Sequence, residues 1–165
     1  MALPQVGHLE AVYHIFGYLM KHETSRIIFD ATDPVPIKPT RAKPDWSSFY
    51  DNLKEEMPPK MPEPLGNPVN MKYVFVDANH AGNLVTRRSH TGILLYIQNS
   101  PIVWLSQWQN TVETSTFGSE CVALRIARDL TVSMQYTLRM FGVPIDGPAE
   151  IFCDNQGVVK NTSRS

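Results

Sequence analysis

Cysteine is scarce. Cys121 and Cys153 are the only two in 165 residues, too few and too isolated for a zinc framework or a disulfide scaffold. In a reducing compartment both stay thiols, and each reads as a small buried residue. No apolar run approaches the roughly 18 residues a bilayer crossing needs, so no membrane partner is expected. The N-terminus, "MALPQVGHLEAVYHIFGYLMK", has no basic region leading into an apolar core and a small-residue cleavage site, which argues against secretion. A cytoplasmic or nuclear setting is expected instead. The five histidines form no HExxH and pair with no CxxC, so a nitrogen-and-sulfur metal site is not expected and any metal should be held by oxygen. A formal charge of −1 provides no global basic field, whereas a protein whose sole task is gripping nucleic acid would carry one.

What is present is globular: 42% apolar residues and 10% aromatics, enough for one core in a chain of this length. Residues 1–32 read as a helix followed by a short strand, with apolar Val12, Ile15, Phe16 and Leu19 at helical spacing and then "RIIFDA". Residues 33–70 hold most of the 13 prolines and read as a linker, docked through Trp46, Phe49 and Tyr50, with one short helical stretch in "DWSSFYDNLKEEM". From residue 71 onward the punctuation becomes regular. "MKYVFVDA", "TGILLYIQ" and "PIVWLSQWQ" read as three strands whose short connections favour an antiparallel meander.

"STFGSECVALRIARDLTVSMQYTLRMFG" carries apolar residues at 122, 126, 130, 134 and 138, with 123, 127 and 141 beside them. It reads as one long helix, N-capped by Ser115 or Thr116 and closed by Gly142, with Pro144 blocking continuation. "AEIFCDNQ" is a fourth strand, and "QGVVKNTS" begins a second helix. The expected fold class is α/β, with a crossover helix that lets the fourth strand lie parallel to the first.

Two strands thus run through apolar residues and finish on aspartates, Asp77 and Asp154. Glu120 stands near the first turn of the long helix, and at roughly 100° per residue it lies at the edge of the apolar arc, facing the rim of the sheet. A parallel fourth strand would set the three carboxylates side by side. Alternation puts Phe75 on the face of Asp77 and Phe152 on that of Asp154, an apolar floor under the acids. Carboxylates so close repel one another unless a cation sits between them, and hard oxygen ligands suit Mg²⁺. Two such ions about 4 Å apart would activate a water and stabilise a leaving oxygen in phosphodiester hydrolysis. An aspartate at a strand end also caps helices, and a glutamate in a first turn also meets the helix dipole. The order of the acids along the elements is more specific than any one of them.

"FVDANHAGN", "RRSHTGILLYI", "PIVWLSQWQNTVETSTFGSECVAL" and "IFCDNQGVVKN" resemble, in order and spacing, the ribonuclease H domain of copia-type LTR retrotransposon polyproteins. Residues 70–162 carry the resemblance, and residues 1–32 resemble the helix and strand that close the neighbouring reverse transcriptase region. No YxDD polymerase motif is present. The resemblance implies a ribonuclease H-like mixed sheet over residues 71–165, incomplete at its C-terminus and cut from a longer polyprotein. It implies Asp77, Glu120 and Asp154 as catalytic, metal-binding residues, Mg²⁺ (or Mn²⁺) as the cofactor, and no small-molecule cofactor. It implies as partners an RNA–DNA hybrid and the remainder of the polyprotein. A fourth acid of the family has no counterpart before Ser165.

Departures from the family pattern stand at Asn79, His80 and Gly118, and at Gln107 and Trp108, which replace two lysines. Trp108 is a candidate for stacking on a base or sugar, or for packing on the linker. Arg87 and Arg88 are candidates for phosphate contacts, or solvate a turn. Asn155 and Gln156 are candidates for contacts with RNA 2′-OH groups, or cap the next helix.

The function expected is two-metal hydrolysis of the RNA strand of a hybrid during reverse transcription, in a particle-associated cytoplasmic or a nuclear setting. The alternative is an inactive retrotransposon remnant that at most binds a partner. An integrase-like nuclease fits less well, because integrases place their glutamate after the second aspartate.

Overall fold

The computed structural model describes residues 5–35, 37 and 59–162. Helix α1, Val6–Lys21, buries none of its residues. "RIIFDA" does not become a strand: Ile27, Ile28 and Phe29 are exposed, and the segment finds no ladder partner among the described residues. It is anchored at one point instead. The Asp30 N–H donates to Ser100 Oγ at 2.7 Å, and its carbonyl accepts from the Asn99 N–H at 3.2 Å. Two polar residues at positions 99 and 100 therefore replace the sheet pairing that the apolar pattern predicts. The helical stretch and the docking expected of Trp46, Phe49 and Tyr50 lie outside the described residues.

Three strands, β1 (Val74–Asn79), β2 (His90–Ile97) and β3 (Ser100–Trp108), form the antiparallel meander. Helix α2, Thr116–Met140, follows, and β4 (Ile151–Cys153) returns parallel to β1. The sheet order is β3-β2-β1-β4, and α3 (Gln156–Thr162) comes last. This is the ribonuclease H-like arrangement. The long helix keeps the expected ends. Ser115 Oγ accepts the Gly118 N–H at 3.1 Å, satisfying one of the donors a helix start leaves open. At the other end Gly142 takes φ +76, with its N–H on the Arg139 carbonyl and the Val143 N–H on that of Leu138, a Schellman closure.

Strand alternation divides the sheet into two faces. Val74, Val76 and Ala78 of β1 join Ile93 and Leu95 of β2 against Ala123 and Ala127 of α2, and this is the core. The line of α2 that is fully buried differs from the expected stripe: it runs through Ser119, Glu120, Ala123, Ala127 and Thr131. Small side chains let the helix approach the strands closely, and the larger Ile126, Leu130, Met134 and Leu138 flank that line half-buried. Phe141, expected beside the stripe, is exposed. On the opposite face Phe75 stacks on Phe152 with ring centroids 5.4 Å apart, and Trp104 stands 61% exposed in the row of Leu94.

Candidate metal centre

The topology collects the candidate residues at one end of the sheet, where β1 and β4 finish, β2 begins and α2 starts. In the parallel pairing Phe75 lies opposite Phe152 and Val76 opposite Cys153, so the next positions in register are Asp77 and Asp154. Both aspartates are exposed. Glu120 is buried rather than at the rim, at 6% exposure, because α2 lies close over β1. The Ala78 backbone N–H faces its carboxylate, and the Cys153 thiol leans on Oε2 at 3.9 Å.

Burial pushes the Glu120 carboxyl above its usual range, the charges of Asp77 and Asp154 push the same way, and the Ala78 N–H and the thiol oppose the shift. Among the described residues no cationic side chain forms an ion pair with any of the three acids. Carboxylates drawn together with no paired cation among the described residues can hold a metal ion.

The closest potential ligand set differs in one member from the sequence expectation. Donor atoms of Glu120, Cys153 and Asp154 lie within 4.8 Å of one another, and this group could hold a metal ion. Asp77 stands outside that group and acts on Glu120 through its charge. Burial holds the Cys153 thiol above its ordinary range, so it stays a protonated, soft sulfur beside two hard oxygens. Neither cysteine is fully buried; both are half-exposed free thiols. Alternation explains Cys153, which sits on the helix face opposite Val76 while Phe152 turns to the other.

The remaining candidates fall around the same end. Arg87 and Arg88 lie exposed in the β1–β2 connection, where Asn83 Oδ1 accepts the Val85 and Thr86 N–H groups. Arg87 takes φ +57, and the Arg88 guanidinium donates to the Asn110 carbonyl at 3.4 Å. Trp108 is 48% exposed and meets the His90 ring edge-to-face at 4.6 Å. Asn155 is a cap: its Oδ1 accepts the Val158 N–H at 3.2 Å at the start of α3. Gln156 is the exposed first residue of that helix.

Sequence reasoning missed a set of buried polar residues behind the acids: Ser89, Thr91, Gln109 and Ser119, all at 1% exposure or less. The one available signal was the glutamine closing "PIVWLSQWQ", a polar residue directly after an apolar strand. No family model matches the sequence and no solved structure matches the chain, so the functional reading rests on the geometry of this site.

Proposed function

We propose that the chain is a divalent-metal nuclease of the ribonuclease H type that hydrolyses the RNA strand of an RNA–DNA hybrid, with Asp77, Glu120 and Asp154 as its metal-binding residues. One observation carries this reading: two aspartates at the ends of adjacent parallel strands converge with a buried helix glutamate, without a protein cation among the described residues. The resemblance to copia-type ribonuclease H domains supports it from the sequence side. Mg²⁺ suits the oxygen donors, and two ions is the number the resemblance implies; when bound, they would polarise a phosphodiester and acidify a water.

The chain's own residues supply the rest. Asp77 and Asp154 present exposed oxygens at the mouth of the site. Glu120 presents a buried carboxylate behind them. Arg87 and Arg88 offer charge-assisted donors to a phosphate backbone.

A second reading, a retrotransposon-derived fold that binds without cutting, is favoured by the presence of Cys153 rather than Asp77 in the closest ligand group. Cleavage of a labelled hybrid in Mg²⁺ by the full chain, beside Asp77→Asn and Glu120→Gln, separates the two. Cutting by the parent chain alone supports the nuclease. Equal rates in all three proteins end that reading.

A further inference from the structure

Behind the acids a chain of polar contacts runs from the sheet to the first turn of α2. Gln109, 1% exposed, donates from Nε2 to the Thr91 hydroxyl at 3.0 Å and to the Ser119 carbonyl at 2.8 Å. Its backbone N–H is fixed by the Ser89 carbonyl at 2.8 Å. Thr91 stands directly opposite Ala78 in the β1–β2 register. Ser119 directly precedes Glu120, whose carboxylate faces the Ala78 N–H. One side chain therefore ties the start of α2 to β2, whose Thr91 lies beside Ala78 of β1, the strand that carries Asp77.

Burying a primary amide there is costly unless it is hydrogen-bonded, and Gln109 Oε1 has no partner among the described residues. An apolar side chain of the same length would fill this volume without that cost. The amide is explained by what its N–H groups hold.

We propose that Gln109 is a positioning residue: it sets the height of the first turn of α2 over the sheet and so fixes the Glu120 carboxylate between Ala78 and the aspartates. This rests on the metal-site reading only for its consequence, a preformed ligand. The positioning can be read without any metal.

The test uses the full chain and Mn²⁺ alone as probe. Gln109→Met keeps length and volume but removes both donated bonds. Thr91→Val removes one of them isosterically, and Thr91→Ser retains it. Thr131→Val is the control, since its hydroxyl is equally buried in α2 but bonds only to the Ala127 carbonyl, at 2.7 Å. Amide hydrogen exchange at Ala78, at matched global stability, is expected to accelerate roughly tenfold in Gln109→Met and less in Thr91→Val. It stays at the parent rate in Thr91→Ser and Thr131→Val. Mn²⁺ affinity measured by calorimetry falls by roughly tenfold or more in Gln109→Met and is unchanged in the control.

Unchanged Ala78 exchange in Gln109→Met overturns the proposal. If Gln109→Met does not fold, the Thr91 pair decides it by the same readout: equal exchange in Thr91→Val and Thr91→Ser overturns it. If the parent chain binds no Mn²⁺, the metal reading fails, and Ala78 exchange still decides the positioning role.

Discussion

Phe75 and Phe152 stack 5.4 Å apart on neighbouring parallel strands, and each ring stands two residues before an aspartate of the candidate site. The contact that locks the rings together therefore also locks the register that brings Asp77 beside Asp154. A slip of one residue would turn one acid to the helix face and bury it.

Removing one ring should loosen that register. Phe152→Ala is expected to cost about 1–2 kcal/mol in urea unfolding, with Phe152→Leu costing less because it keeps most of the apolar contact. Since β4 has only three residues and few other contacts to hold it, the loss should extend to faster amide exchange along Ile151–Cys153. Parent-like stability in Phe152→Ala would show that the stack does not hold the strand.

The raised pKa of Glu120 gives stability a sign with pH. Folded Glu120 holds its proton more tightly than the unfolded chain does, because it is buried and faces Asp77 and Asp154. Its contribution is therefore fully present below the ordinary glutamate range and is lost as pH rises through the raised value. Urea midpoints measured without divalent ions should fall across that window in the parent chain and fall less in Glu120→Gln. Added Mg²⁺ should recover part of the loss at the upper end. A midpoint that rises as Glu120 ionises would contradict the burial and repulsion seen at this group.

Gly142 and Gly147 separate backbone strain from steric contact. Both adopt the left-handed region, at φ +76 and +69, but a Cβ on Gly142 would lie 2.8 Å from the Glu63 carbonyl oxygen, whereas one on Gly147 meets nothing within 4 Å. Gly147→Ala should cost about 1 kcal/mol and Gly142→Ala clearly more, about 2–3 kcal/mol, as the Schellman closure of α2 is forced apart. Equal losses by thermal unfolding would mean that the chain around Glu63 yields freely.

Arg87 and Arg88 should reveal themselves through salt. If each meets one phosphate of a hybrid, Arg87→Ala and Arg88→Ala should weaken binding to all sequences alike and lower the slope of log affinity against log salt by about 1 each. Fluorescence anisotropy across a salt series reads both. Unchanged slopes would leave the pair as a solvated turn, with Arg88 occupied by the Asn110 carbonyl.

Much of the fold was legible in residue order. Apolar runs in "YVFVDA" and "TGILLYI", together with Ser115 and Gly142 as helix punctuation, identified β1, β2 and α2 because these signals act within a few residues of themselves. "RIIFDA" carried the same local signal and failed, because a strand also needs a partner, and Ser100 and Asn99 captured Asp30 instead. The fully buried line of α2 was misjudged for a related reason. Side-chain size tells which residues are greasy, whereas the distance between helix and sheet decides which are covered, and here small Ala123 and Ala127 allow the closest approach.

The candidate site divides along the same line. By itself the sequence determined the chemistry at its disposal: three carboxylates, placed by local periodicity at two strand ends and a helix start. Only the tertiary structure decided that Glu120 is buried, that Cys153 rather than Asp77 shares its nearest ligand group, and that Gln109 stands behind them. Each of these depends on how closely α2 lies over β1, and on hydrogen bonds between residues distant in the chain, which no pattern along a single strand or helix encodes.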